Sequence, residues 1–202
     1  SAQALLRYAA SPAFMLLVLP LAFGKLAFGV LQPLIPLHAA RTGMSDTMVA
    51  MLFVMTGVLF AVTQPVVGLL RARMNARDIA LGCAVLAALS LGAIAGYSGP
   101  VGFSTCYLVY VVFGSMLFAA NSGLVGETHH EAERDHGKVF GAMHTVTDAG
   151  MLVAPPLLLA LYERDLRACF VTVGALGLGA ALVFAVGTRD VGARRAAPDD
   201  AV

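Results

Sequence analysis

Six uninterrupted apolar runs, each about as long as a helix needs to cross a bilayer, dominate this 202-residue chain. A hydrocarbon core of about 30 Å takes about 20 residues of helix at roughly 1.5 Å per residue. The runs cover residues 13–40, 47–70, 79–97, 101–126, 139–162 and 168–188, with short polar hinges between them. Inside lipid, backbone amides and carbonyls must find partners within the protein, which leaves helices or closed barrels. Barrel strands alternate polar and apolar residues over about ten positions. Stretches such as Met51-Leu-Phe-Val-Met55 do not alternate. The expected fold is therefore an all-α membrane protein of six transmembrane helices, with the lipid bilayer as its first partner. Composition agrees: 12% of residues are charged, against about 25% in soluble domains. A net charge of +1 offers no basic surface to phosphates, which excludes a nucleic-acid partner.

The basic residues fix the orientation, because short cytoplasmic loops collect Lys and Arg. Arg7, Arg71, Arg73, Arg77, Arg134, Lys138, Arg189, Arg194 and Arg195 fall on one side, and Arg41, Arg164 and Arg167 on the other. Nine against three places both termini in the cytoplasm. The bundle is expected over residues 1–188, and a polar, disordered cytoplasmic tail over 189–202. The chain opens on Ser1 instead of Met, from which we expect further sequence upstream.

Polar residues are unevenly shared among the runs. The first holds Lys25, Gln32, Pro33 and Pro36; the second holds Thr56, Thr63 and Gln64. The fourth carries Tyr107, Tyr110, Gly114 and Asn121 on one face, and the fifth His144, Asp148, Met151 and Pro155. The third and sixth are almost wholly aliphatic or glycine. Polar groups in lipid turn toward protein or water, so runs one, two, four and five are expected inside, with three and six outside. The same division recurs in each triplet, the pattern of a 3+3 inverted-repeat bundle. Pro33 and Pro36 are expected to kink the first helix.

Two motifs carry a resemblance. The loop Gly68-Leu-Leu-Arg-Ala-Arg-Met-Asn-Ala-Arg77 resembles the signature loop of the major facilitator superfamily, Gly-x-Leu-x-Asp-Arg-x-Gly-Arg-Arg. Gly68, Leu70, Arg73 and Arg77 match, while Ala72, Asn75 and Ala76 depart. In the fifth run, Gly141, Gly150 and Pro155 resemble the family's antiporter motif, with Ala154 and Leu158-Leu159 in place of further glycines. The degraded loop, and a fourth run without Arg or Lys, resemble the carboxy-terminal six-helix half. The resemblance implies half of a major facilitator fold: one of two six-helix bundles with a small-molecule substrate between them. It further implies secondary active transport, proton-linked efflux in the bacterial inner membrane, and a missing six-helix half as partner.

Lys25 lies 12 residues into its run, about 18 Å deep, and Asp148 lies 9 residues into its own, about 14 Å deep. A lysine at such depth costs roughly 2.5–3.5 kcal/mol on the lenient insertion scale, so it needs an ion-pair partner or a function. Asp148 is within reach, and His144 sits one turn away on the same face. All three read either as substrate or proton-coupling groups or as structural contacts between helices. Gln32, Tyr110 and Asn121 are candidates to line the same polar face, or else to bond neighbouring helices. Cys83, Cys106 and Cys169 each lie within an apolar run and read as small hydrophobes, neither disulfide partners nor metal ligands. The histidine-bearing loop 127–136 reads as a solvated loop, since it lacks metal-ligand spacing. With no nucleophile cluster or glycine-rich phosphate loop, no enzyme, metal or cofactor is expected. The alternative to a transporter half is a stand-alone six-helix channel or assembly partner.

Overall fold

A computed structural model of the protein describes residues 11–97, 99–128 and 136–189. These residues form six helices: α1 Pro12–Thr42, α2 Asp46–Arg71, α3 Ala76–Ile94, α4 Pro100–Thr128, α5 His136–Arg164 and α6 Leu166–Gly187. There is no strand among the described residues, and all six helices are long and apolar enough to cross a membrane. Arg7, Arg134, Arg194, Arg195, the loop 129–135 and the tail from 190 onward lie outside the described residues.

Local chemistry sets the ends. Pro12 opens α1 with Ser11 as its cap, whose hydroxyl accepts from the Phe14 amide. Pro tolerates the first helical turn because its missing N–H has no partner there. Gly43 closes α1 at φ 70°, a left-handed conformation that favours glycine. Ser45 caps α2 by accepting from the Met48 amide, and Asp165 caps α6 by accepting from Arg167 and Ala168. α1 runs on as one helix through Pro33 and Pro36.

Part of the packing repeats between triplets, although α3 packs more extensively on α4 than α6 does on α1. α1 packs on α5 as α2 packs on α4, while α3 packs on α6. Exchanging the first three helices for the last three maps these pairings onto themselves, the pattern of an inverted repeat.

Burial departs from one expectation. The most apolar stretches of α3 and α6 are 44% and 39% buried, against 17% for α2 and 22% for α5. Within this bundle, the third and sixth helices thus sit deeper than the second and fifth. Small residues explain it. A Cβ built on Gly174 of α6 would stand 3.0 Å from Gly92 Cα, and one on Gly177 would strike the Phe23 ring and Ala88. Helices with Gly and Ala at their crossings approach closely and bury each other without polar contacts. α2 and α5 instead expose large side chains, among them Met51, Val54, Val62 and Leu69, and Leu152, Val153 and Leu157.

The core forms two clusters stacked along the helix axes. One gathers Phe14, Leu17, Leu21, Leu117, Met143 and Phe184. The other gathers Phe23, Leu34, Phe103, Tyr107, Tyr110 and Phe170. Lys25, His144 and Asp148 lie at the level where these two clusters meet.

Candidate functional site

A lysine on the thirteenth residue after the start of a 31-residue helix has no route to either end, so its neighbours must meet its charge. They do. Lys25 of α1 makes an ion pair with Asp148 of α5, and Lys25 Nζ stands 2.9 Å from His144 Nδ1. An ammonium has only donors, so His144 Nδ1 accepts and its remaining ring proton lies on Nε2. The tight α1–α5 crossing brings the three together. A Cβ on Gly29 would lie 3.2 Å from Met151 Cβ, and one on Gly150 would lie 3.6 Å from Leu26 Cβ. Gly150 of the antiporter-like motif therefore sets helix spacing one half-turn from Asp148. Gly141 has nothing near it, and Pro155 continues α5 beside Pro156.

The pair is asymmetric. The Lys25 side chain is 17% exposed and that of Asp148 is 53% exposed. Lys25 faces inward onto a cavity of about 220 Å³, whose walls include Phe28, Phe60, Tyr110, Gly114, Phe118 and Met151. Among the described residues, Lys25 is the single charged side chain on that wall.

The other sequence candidates separate from this cluster. Tyr110 lines the cavity with its ring, but its hydroxyl donates to Gly24 O at 2.8 Å. Asn121 is fully buried and donates from Nδ2 to Leu17 O at 2.7 Å. Leu17 lies eight residues before Lys25, about 12 Å along α1, so Asn121 joins helices away from the cavity. Gln32 is exposed, seven residues beyond Lys25. Thr56, Thr63 and Gln64 join α2 to α4. Thr56 donates to Leu52 O and so accepts from Tyr107, while Gln64 donates to Ser115 O.

The signature-like loop serves the bundle's end. Arg77 donates from Nε to Thr188 Oγ1 and from a terminal nitrogen to Ala185 O, both at 2.8 Å. A cation there meets the unsatisfied carbonyls of α6's last turn. Arg71 pairs with Glu127 of α4, lying against Gly123, where any Cβ would collide with the guanidinium. Gly68 has nothing within 4 Å of an added Cβ, and Arg73 is exposed.

Sequence reasoning missed His38. It is 1% exposed, stacked on Phe103 at 4.2 Å, with Nδ1 3.3 Å from the Tyr162 hydroxyl and Nε2 buried without a partner. Arg41 covers the Tyr162 ring at 4.5 Å. His38 lies two residues from the end of the first apolar run and was not singled out among its polar residues. The available signal was helical phase, since residues 31, 34, 35 and 38 share a buried face. Cys83 and Cys169 are buried and Cys106 is half-buried, all three as free thiols.

Comparison with known proteins places the chain in a family. The family model described as Major Facilitator Superfamily matches residues 15–201. No curated protein matches the chain.

Proposed function

Since the chain belongs to the Major Facilitator Superfamily, a family of membrane transporters, we propose that it is a proton-linked secondary transporter exporting small molecules from a bacterial inner membrane. In this reading the chain supplies one six-helix half, and a second bundle faces its open side. The observation that carries the proposal is the Lys25–Asp148–His144 cluster, placed midway along α1 and α5 at the edge of a cavity. A carboxylate that is 53% exposed yet flanked by apolar helices is open to entering water. The weak burial of α2 and α5 supports a second bundle, because a partner would cover faces that this bundle leaves exposed. Gly141, Gly150 and Pro155 support export through their likeness to the antiporter motif. The basic side of the hinges supports cytoplasmic termini.

The test uses everted vesicles carrying the full-length protein, energised to an acid interior and followed with a pH-sensitive dye. Amphipathic anions, cations and neutral compounds are added in turn. The expected result is that some compounds move protons, and that Asp148→Asn abolishes this while substrate exchange survives. Proton movement unchanged in Asp148→Asn would overturn the coupling role. Full transport by the isolated 202-residue chain as a monomer would overturn the half-transporter reading.

A further inference from the structure

We propose that His38, Tyr162 and Arg41 form a latch across the C-terminal ends of α1 and α5, and that this latch opens locally to water while the rest of the bundle stays folded. None of the three belongs to the Lys25 cluster, and the latch stands whether or not transport is proton-linked. Three observations carry it.

His38 holds a polar atom that the closed bundle does not serve. The residue is 1% exposed, and its Nε2 has no hydrogen-bond partner among the described residues. In either neutral tautomer one ring nitrogen faces Tyr162, and the other is left as a buried donor or acceptor. Buried polar groups are otherwise almost always paired, and one left unpaired forfeits its hydration without return. Water reaching an open latch supplies the partner. The closed position therefore carries a cost that the open one lacks.

The fastenings are also loose. The Tyr162 hydroxyl stands 3.3 Å from His38 Nδ1, and Arg41 donates to Tyr162 O at 3.4 Å. Both are longer than the usual range for such bonds. Nearer its start, α1 is held at ordinary length: Leu17 O accepts from Asn121 at 2.7 Å and Gly24 O from Tyr110 at 2.8 Å. Hydrogen bonding to α1 thus slackens toward its C-terminal end. Ring contacts complete the closure, with His38 stacked on Phe103 at 4.2 Å and Tyr162 edge-on to Phe170 at 6.4 Å.

The cover, finally, is thin. Tyr162 is 1% exposed, yet the group over its ring is the guanidinium of Arg41 at 4.5 Å, and Arg41 is itself exposed. A cation that stays hydrated is held only weakly by a ring, so one side chain has to swing aside before water meets the His38–Tyr162 pair. Local openings of this kind belong to segments with few strong ties. The same helix carries Lys25 and Phe28 on the cavity wall, so the latch sets how freely one end of a cavity-lining helix moves.

The experiment uses the full-length protein in lipid nanodiscs, with diethyl pyrocarbonate labelling His38 and N-ethylmaleimide labelling Cys83, a buried thiol of the other core cluster. Each rate is read by peptide mass spectrometry and divided by the rate in detergent-unfolded protein. Local opening predicts that His38 is protected less than Cys83 by about tenfold or more, whereas exposure through global unfolding alone would protect both equally. Tyr162→Phe and Arg41→Gln should each lower the protection of His38 further and leave that of Cys83 unchanged. His38→Phe removes the unpaired nitrogen and keeps a ring against Phe103, so it should slow amide hydrogen exchange over residues 37–42. Equal protection of His38 and Cys83 in the unmodified protein would overturn the proposal, and that comparison needs no variant to fold. Faster exchange over 37–42 in His38→Phe, in a protein that keeps its Cys83 protection, would also overturn it, because His38 would then be an ordinary structural contact.

Discussion

Gly174 of α6 approaches Gly92 of α3 so closely that a methyl group in place of its hydrogen would stand 3.0 Å from both the Gly92 Cα and its amide nitrogen. The atoms it would meet are backbone, including Ala88 O at 3.1 Å, and backbone within a helix cannot turn aside as a side chain can. Gly174→Ala should therefore cost about 1–3 kcal/mol through overpacking. Gly179, on the same helix with nothing within 4 Å, is the control, and Gly179→Ala should be neutral or slightly stabilising through helix propensity. Thermal denaturation in detergent, read by circular dichroism, compares them. Equal melting temperatures would show that α3 and α6 separate freely.

Lys25 and Asp148 should be energetically coupled. Each alone is a charge among apolar helices, and removing one leaves the other without its counter-ion. Lys25→Ala and Asp148→Ala should each lower the melting temperature, and the double variant should lower it by less than their sum. A coupling of about 0.5–3 kcal/mol is expected for residues in contact. The exposure of Asp148 favours the lower part of that range. Strictly additive losses in the four-member cycle would dissolve the pair.

Arg77 should matter far more than Arg73, although both match the signature loop. Arg77 holds the last turn of α6 through two bonds at 2.8 Å, and Arg73 is exposed. Arg77→Gln should cost about 1.5–3 kcal/mol, the range for hydrogen bonds to charged groups, and open the end of α6 to limited proteolysis. Arg73→Gln should change stability by less than about 0.5 kcal/mol. Matching protease patterns in the two variants would contradict the assignment.

Membrane orientation is testable by labelling. With Cys83, Cys106 and Cys169 replaced, Arg73→Cys should be protected from an impermeant thiol reagent outside intact cells, and Gly99→Cys should react. Both positions are exposed in the structure, so access depends on which side of the membrane they face. The reverse labelling would invert the topology.

The parts of the fold that could be read from the chain are those that rest on apolar length and on axial position. Helix rise alone brings Lys25 and Asp148 to similar depths, and the structure pairs them and adds His144. Lateral position was harder to read. Thr56, Thr63 and Gln64 mark α2 as polar, yet their bonds reach α4 and leave the rest of α2 exposed. Conversely, the aliphatic and glycine character of α3 and α6 read as lipid-facing, although small residues also permit the closest helix crossings. Gln32 and Asn121 share a residue class and lie on helices of similar character, but one is exposed and the other fully buried. What separates them is the position of Leu17 O, a backbone atom on another helix, and no side-chain pattern records it.

Many of the bonds between helices end on such atoms. Tyr110 finds Gly24 O, Asn121 finds Leu17 O, Gln64 finds Ser115 O and Arg77 finds Ala185 O. A carbonyl is supplied by whatever residue occupies the acceptor position, so each of these bonds constrains one partner and leaves the other free to drift. Over evolutionary time the donors should hold still while their acceptors wander in identity. Correlated substitution, the usual trace of two residues in contact, should accordingly be faint at these four crossings. Lys25 and Asp148, joined side chain to side chain, are where it should be strong.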